Sequence, residues 1–348
     1  MGCCETLEPP AAAAGAVGRR TVLKGLAGAL SLAAVDAERQ ARAAAAPVKL
    51  AFCGQLLCVV PYEVTRARGH FTAEGIDMEL VYTRGGNAAM QALVGGAVDY
   101  AGTSFDVAVQ AYARGAKIER FASTGRLPLF ALAVAPKDKG KITALKDLEG
   151  KVVGVSGLGN ADHVLVLFLL SKAGADASKV RFATMGTNLY DALRIGQVDA
   201  GMVQEPALSL IAAKGGAVLV NLMETADADR YLGGAYEFMG VAVRSAERAR
   251  RLDEMRRLAR ALAKGLDDTR TMPVEGIIDA LPKALVAGGD KNALVRILAR
   301  YRGSLYPGTV KIDLAAAKRV EDALLLSGSI KSATGLGHLI DPSVVEDS

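Results

Sequence analysis

Ala92-Leu93-Val94-Gly95-Gly96-Ala97-Val98-Asp99 recurs later in the chain as Ala192-Leu193-Arg194-Ile195-Gly196-Gln197-Val198-Asp199, with Ala, Leu, Gly, Val and Asp in identical register. In each copy, Ala and Leu are predicted to lie on the last turn of a helix that a left-handed glycine ends. The valine then leads into a short strand, over 100–102 and 200–203. The same helix-to-strand unit built twice predicts two similar α/β lobes, and two facing lobes imply a cleft.

The length and charge of the chain narrow its class. With 348 residues it can bury about three quarters of its unfolded surface, which is enough for two modest cores. The formal net charge of +5 is spread along the sequence, so nucleic acid is not an expected partner. After Val48 no apolar run is long enough to span a bilayer, and the mature protein is expected to be soluble.

Residues 1–43 carry the features of an export signal. Gly18-Arg19-Arg20-Thr21-Val22-Leu23-Lys24 resembles the twin-arginine signal, a weakly apolar stretch follows over 25–35, and Ala41-Arg42-Ala43 fits a cleavage site. This pattern predicts a periplasmic protein exported by the twin-arginine translocase. Met1 to Thr6 also fits an N-myristoylation pattern, but fewer of its parts match; a disordered alanine-rich tail is the other alternative.

The cysteines leave two possibilities open. Cys3 and Cys4 would be removed with the signal, whereas Cys53 and Cys58 flank a short apolar segment of the mature chain. In an exported protein this pair can form a disulfide or remain as two buried free thiols. The chain has only three histidines, none near a second ligand in sequence, so no metal site and no cofactor are predicted.

Alternating strands and helices with short links predict a mostly parallel sheet in each lobe. We assign residues 44–136 and 237–348 to lobe one, with the C-terminal helices packed on it, and 137–236 to lobe two. The strand predicted over 130–135 therefore falls in lobe one, and the strand over 238–243 returns the chain to that lobe.

Four stretches carry family-type motifs, at 69–80, 96–100, 145–151 and 192–206. In this order they resemble the solute-binding proteins of nitrate/sulfonate/taurine-type (SsuA-like) ABC importers. The resemblance implies the periplasmic binding protein type II fold, with two lobes, two hinge crossings and a ligand cleft. It also implies a monomer that delivers its solute to an ABC permease without catalysis. The absence of tryptophan and the apolar segment 53–58 argue against nitrate as the ligand.

Ligands of open parallel sheets bind beyond the carboxyl ends of the strands, and this rule selects the candidate site. In lobe two, this rule selects the pair Gln204-Glu205 among other strand-end positions. The predicted ligand-binding residues are Gln55, Leu56, Asn87, Thr103, Ser104, Ser156, Gly157, Asn160, His163, Asn188 and Glu205.

The loop 156–162 is the most specific candidate. A small, glycine-rich turn that leads into a helix can direct unpaired backbone N–H groups at a carboxylate, sulfonate or phosphate. Alternatively, Asn160 only caps its own helix. Thr103 and Ser104 offer hydroxyls to the ligand or cap the next helix, and His163 either reaches the ligand or packs in the lobe.

Three charged residues also have two interpretations each. Glu205 either accepts a hydrogen bond from the ligand or anchors the hinge. Arg84 and Arg126 either pair with an acidic ligand or are solvated. No catalytic residue is predicted, because 157–162 lacks the third glycine of a dinucleotide loop and 154–158 lacks the last glycine of a nucleophile elbow.

The sequence therefore predicts an exported binding protein for a small organic anion, a sulfonate or carboxylate, with a pyrimidine still open. An enzyme on the same fold, of the dehydratase or pyrimidine-precursor synthase type, is one alternative. A ligand-sensing partner of a membrane receptor is another.

Overall fold

Two five-stranded sheets organise the chain. The computed structural model describes residues 46–286 and 290–346, so the predicted signal at 1–43 lies outside the described residues. The strands are β1 Val48–Cys53, β2 Met78–Thr83, β3 Tyr100–Ser104, β4 Ile118–Ser123, β5 Ala131–Val134, β6 Val152–Val155, β7 Arg181–Thr184, β8 Ala200–Val203, β9 Ala217–Asn221 and β10 Met239–Arg244.

Helices cover both faces of the sheets. They are α1 Leu56–Ala67, α2 His70–Ala73, α3 Gly86–Val94, α4 Phe105–Ala113, α5 Ala161–Lys172, α6 Leu189–Arg194, α7 Ala207–Ala213, α8 Thr225–Asp227, α9 Ser245–Thr271, α10 Val274–Ala280, α11 Lys283–Val286, α12 Lys291–Leu305, α13 Leu314–Leu326 and α14 Ser343–Glu346. In the described part of the chain, no helix has the length and apolar character required to cross a membrane.

The two sheets share one strand pattern. The first has the order β2-β1-β3-β10-β4 and the second β7-β6-β8-β5-β9. β1 pairs in parallel with β2 and β3, as β6 does with β7 and β8. In each sheet one strand, β10 or β5, runs antiparallel to both of its neighbours. Each lobe is thus a mostly parallel α/β layer, as predicted.

The repeated phrase has the same structural role in both lobes. Gly96 and Gly196 adopt the left-handed backbone conformation, with φ of 79° and 73°. Oδ2 of Asp99 accepts a hydrogen bond from the Lys49 backbone N–H at 2.8 Å, and Oδ2 of Asp199 accepts one from the Val152 N–H at 2.8 Å. Each aspartate therefore ties the strand that follows its helix to the neighbouring parallel strand.

One predicted assignment is wrong. The boundary at 136 places the strand over 130–135 in lobe one, but β5 pairs with β8 and β9 of the second sheet. The first crossing therefore lies between the end of β4 at Ser123 and the start of β5 at Ala131. Strand partners are set by long-range pairing, which the local pattern of apolar residues does not report.

The two crossing segments are hydrogen-bonded to each other. The N–H groups of Thr124 and Gly125 donate to the Met239 carbonyl at 2.7 and 3.0 Å. In return, the Phe238 N–H donates to the Gly125 carbonyl at 2.9 Å, and the Tyr236 N–H to the Arg126 carbonyl at 2.9 Å. This short antiparallel pairing is the hinge between the lobes.

The C-terminal helices contact both lobes, although the sequence prediction placed them on lobe one. α9 packs on α1 and α2, where Leu258 and Leu262 are fully buried. By contrast, the Asn221 side chain of lobe two donates to the Tyr301 hydroxyl of α12 at 3.0 Å. α13 packs against α4 of one lobe and α5 of the other.

Candidate functional site

A cleft between the lobes lies at the carboxyl ends of β1, β3, β6 and β8. Its first part, here the thiol compartment, encloses about 40 Å³. It is lined by Cys53, Gln55, Cys58, Arg84, Gly85, Gly86, Thr103, Ser104, Val107, Phe130, Ser156, Asn160, Ala161, Asp162, Gln204, Phe238 and Met239.

The adjoining apolar compartment is larger and encloses about 300 Å³. It shares Gln55, Phe130, Ser156 and Gln204 with the thiol compartment. The rest of its lining is Gly54, Leu56, Gly186, Thr187, Leu189, Tyr190, Met202, Val203, Glu205, Pro206, Ala207 and Leu285. Small-molecule sites are typically apolar clefts of this size with a few fixed polar groups, and the two compartments together have that character.

The structure brings most of the predicted residues together at this cleft. Those that line it are Gln55, Leu56, Thr103, Ser104, Ser156, Asn160 and Glu205. The other four, Asn87, Gly157, His163 and Asn188, line neither compartment.

The loop 156–162 is organised differently from the predicted anion seat. Asp162 is fully buried, and its carboxylate accepts hydrogen bonds from the Ser156 backbone N–H and, at 2.9 Å, from the Ser156 hydroxyl. The Gly159 N–H donates to Nδ1 of His163 at 3.1 Å. The protein's own carboxylate thus occupies the N-terminus of α5, where an external anion was expected. Burial raises the pKa of Asp162 to about 6.

The same network orients Asn160. Asn160 stands at the N-cap position of α5, but its side chain makes no capping hydrogen bond, contrary to the alternative considered for it. Instead, its Nδ2 donates to the Ser156 hydroxyl oxygen at 2.9 Å, because the hydroxyl proton is already committed to Asp162. The amide oxygen of Asn160 is left buried and without a hydrogen-bond partner among the described residues.

Two further amide oxygens in the cleft are, like that of Asn160, buried without a hydrogen-bond partner among the described residues. Oε1 of Gln55 and Oε1 of Gln204 are buried and have no hydrogen-bond partner in the described part of the chain. Gln55 comes from lobe one, whereas Gln204 and Asn160 come from lobe two. A buried acceptor without a partner costs about 1–3 kcal/mol, so these three oxygens create a demand for hydrogen-bond donors.

The wall from lobe one is built by the end of β3. Thr103 and Ser104 are buried, and the Thr103 hydroxyl donates to the Ser104 carbonyl at 3.2 Å. Ser104 precedes α4 but makes no side-chain capping hydrogen bond. Ser104 therefore lines the thiol compartment without the capping role that sequence reasoning allowed for it.

His163 and Glu205 have local partners. The His163 ring packs edge-on against Phe182 with a centroid distance of 4.7 Å, and burial lowers its pKa. This matches the packing alternative. Glu205 borders the apolar compartment, but its carboxylate accepts from the Ser209 N–H at 3.0 Å and the Ser209 hydroxyl at 2.9 Å. Glu205 thereby caps the start of α7.

The two candidate arginines, Arg84 and Arg126, differ in their position and in their partners. Arg126 donates to the Ser304 carbonyl at 3.0 Å and so holds the end of α12, outside the cleft. Arg84 borders the thiol compartment, is exposed, and makes no ion pair or hydrogen bond with the described residues. Arg84 is thus the lining cation that can pair with an acidic group.

Sequence reasoning missed the apolar walls and the thiols of the cleft. Phe130, Tyr190 and Leu285 come from three separate segments, so no local motif joins them. In this structure Cys53 and Cys58 are free thiols that line the thiol compartment, which is one of the two states left open for them.

The lobes are in contact in this structure. Nε2 of Gln110 in α4 donates to the Gly159 carbonyl of the other lobe at 3.0 Å. Gln204 of one lobe and Cys58 of the other both line the thiol compartment. The cleft is therefore described in a closed arrangement, in which both lobes border the same space.

The family model described as "NMT1/THI5 like" matches residues 59–276, more than half of the chain. Among curated proteins, the riboflavin-binding protein RibY of Chloroflexus aurantiacus is 24% identical over 220 residues, or 62% of this chain. The match spans 60% of that relative's length.

Comparison with solved structures identifies the fold. A protein from Bordetella bronchiseptica RB50 superposes with a TM-score of 0.78 at 23% identity, covering 87% of this chain and 96% of that one. The alkanesulfonate-binding protein SsuA from Xanthomonas axonopodis pv. citri, bound to MOPS, gives a TM-score of 0.67 at 19% identity, covering 86% and 100%. The predicted two-lobed periplasmic binding protein fold is confirmed.

Proposed function

Because the chain belongs to the NMT1/THI5-like family, we propose that it is the exported substrate-binding component of an ABC importer. It captures a small organic solute between its lobes and presents the closed form to a membrane permease. The paired crossings at Gly125 and Met239 and the cleft beyond the strand ends support this role. The names of the RibY and SsuA proteins, both binding proteins, agree with it.

The observation that carries the proposal is the set of three orphaned amide oxygens on Gln55, Asn160 and Gln204. A solute with N–H or O–H donors satisfies acceptors from both lobes at once. It therefore makes contacts in the closed form that an open cleft cannot supply, which is how a ligand shifts a hinge equilibrium.

The remaining lining specifies the rest of the solute. Phe130, Tyr190 and Leu285 suit an apolar body in the 300 Å³ compartment. Arg84, which has no protein partner among the described residues, suits a carboxylate or sulfonate at the border of the cleft. The proposed solute is an organic acid with an apolar body and several hydrogen-bond donors.

Binding without catalysis fits the cleft better than the enzyme alternative. Two buried carboxyl groups with raised pKa values line the cleft, Asp162 and Glu205. Both oxygens of Asp162 are engaged by Ser156, and both oxygens of Glu205 by Ser209. A general acid or base needs a position within reach of the substrate, and Asp162 is committed to holding the loop. The role of a sensing partner for a membrane receptor uses the same closure and is separated from transport by uptake assays.

Export through the twin-arginine translocase remains part of the proposal. The basis is the sequence 18–24. Replacing Arg19 and Arg20 together by Lys is expected to retain the protein in the cytoplasm, as measured by cell fractionation. Unchanged export of this variant would contradict the twin-arginine route.

The first experiment is a thermal-shift screen of the full chain against sulfonates, carboxylates, pyrimidines, flavins and nitrate. A solute at about one hundred times its Kd stabilises the folded state by about 2.7 kcal/mol, which raises the melting temperature by several degrees. Product analysis of the same mixtures tests for turnover, and conversion of the stabilising solute would favour the enzyme alternative.

Matched variants then test the site. Gln55→Met and Gln204→Met each remove one acceptor at similar side-chain length, and each is expected to weaken binding by about 5- to 100-fold. Asn188→Ala, at an exposed position outside the cleft, is the control and should bind normally. Equal affinities for all four proteins, measured by calorimetry, would show that the solute does not use these acceptors.

A further inference from the structure

Two thiols form part of the wall of the thiol compartment. Cys53 ends β1 and Cys58 lies in the first turn of α1. Their exposed fractions are 7% and 3%, and both are free. Both side chains border the same compartment of about 40 Å³. A pair of free thiols in the wall of a ligand cleft has no role in the proposed capture of a solute.

The two thiols have different environments. The neighbouring Cys58 thiol and the Gln55 backbone N–H lower the pKa of Cys53. The neighbouring Cys53 thiol, together with burial, raises the pKa of Cys58. Cys53 also lies beside the N-terminus of α1, where a thiolate is favoured. The attacking thiol is therefore Cys53, and the resolving thiol is Cys58.

We propose that Cys53 and Cys58 form a reversible dithiol–disulfide couple in the wall of the cleft, with a small-molecule or protein disulfide as oxidant. The Cys53 thiolate attacks the oxidant RS–SR, forms a mixed disulfide and releases RS⁻, which takes up a proton. Cys58 then attacks the Cys53 sulfur and releases a second RSH. The protein loses two electrons and two protons, and the oxidant gains them as two thiols.

Access of the oxidant depends on the position of the lobes. Cys58 and the Gln204 side chain, which belongs to the other lobe, border the same compartment. Gln110 and Gly159 hold the same interface together with a 3.0 Å hydrogen bond. An oxidant of the size of glutathione disulfide reaches the thiols after the lobes separate. Oxidation is therefore faster in the open form, and a solute that holds the lobes together slows it.

The test uses the full chain with Cys3→Ser and Cys4→Ser, incubated with glutathione disulfide and followed by intact-mass spectrometry. We expect a loss of two hydrogen masses without a lasting adduct. Adding Cys58→Ser should leave one stable glutathione adduct, whereas adding Cys53→Ser should slow the reaction about tenfold, since a lower thiol pKa increases the thiolate fraction. Circular dichroism verifies that each variant is folded.

Two results would overturn the proposed dithiol–disulfide couple. One is a protein that collects two stable glutathione adducts; the other is an equal reaction rate for the two single-cysteine variants. Gln110→Ala, which removes the hydrogen bond to Gly159 between the lobes, should accelerate oxidation, with Asn188→Ala as control. An unchanged oxidation rate in Gln110→Ala would show that oxidation does not depend on the opening of the lobes. None of these readouts requires the solute, so they fail or succeed independently of the proposed transport function.

Discussion

A buried carboxyl group beside the hinge makes the stability of the fold depend on pH. Asp106 in α4 is fully buried, and its Oδ1 accepts a hydrogen bond from the Tyr236 hydroxyl at 2.6 Å. Its Oδ2 has no hydrogen-bond partner within the described residues. Burial raises the pKa of Asp106 to about 7, against the attraction of the nearby Arg120. The perturbation that isolates this group is Asp106→Asn.

The sign and the size of this pH dependence of stability follow from proton linkage. Between pH 5 and about 7 the folded state keeps the Asp106 proton, whereas the unfolded state, with its ordinary pKa of 3.8, has lost it. The free energy of unfolding therefore falls as the pH rises through this window, by about 1.4 kcal/mol per pH unit, or about 3 kcal/mol in total. The amide in Asp106→Asn is neutral at every pH, so the variant should lack this part of the decrease.

The assay is urea denaturation at pH 5 and pH 8, with the free energy of unfolding compared between wild type and variant. Some decrease should persist in the variant, because burial also raises the pKa of Glu237 to about 7 and that of Asp162 to about 6. Asp77→Asn, at an exposed position, serves as control and should behave like wild type. If Asp106→Asn loses as much stability from pH 5 to pH 8 as wild type does, the argument from burial is refuted.

Three further substitutions test the packing of the fold by thermal or urea denaturation. Gly240→Ala should destabilise by more than about 2 kcal/mol, because its Cβ would lie 2.2 Å from the Ala122 carbonyl oxygen; a melting temperature within a degree of wild type would contradict the close packing. Gly303→Ala should stabilise the folded state by about 0.5–1 kcal/mol, since this glycine of α12 has open space around its Cβ position. Any loss of stability would contradict the presence of that open space. Asp199→Ala should cost about 1–3 kcal/mol because the Val152 N–H loses its acceptor, and a neutral effect would exclude a structural role for the repeated aspartate.

The sequence predicted local structure well because its signals are local. The glycines of the repeat at 96 and 196 need the left-handed conformation, and the apolar runs at 48–52 and 152–155 need burial on both faces. These requirements are fulfilled within a few residues, so pattern and spacing sufficed to predict two α/β lobes. The same pattern could not assign β5 to a sheet, because its partners β8 and β9 are about 65 to 90 residues away in the chain.

The candidate site was predictable as a place but not as a set of contacts. The rule that ligands bind beyond strand ends selected Gln55, Thr103 and Ser156, all of which line the cleft. It did not reveal that Asp162 fills the N-terminus of α5, because a glycine-rich turn looks the same whether its N–H groups meet a ligand or the protein's own carboxylate.

By itself, the sequence determined the fold class, the duplication of the lobes and the strand ends that border the cleft, since each depends on short-range periodicity and turn chemistry. The tertiary structure alone decided which polar atoms and which arginine of the cleft have no partner among the described residues, and that the two thiols border one compartment. Those properties depend on distances between segments that are far apart in sequence. The hydrogen bonds of Ser156 and Asn160, formed only after the chain has folded, determine where an acceptor is left for a solute.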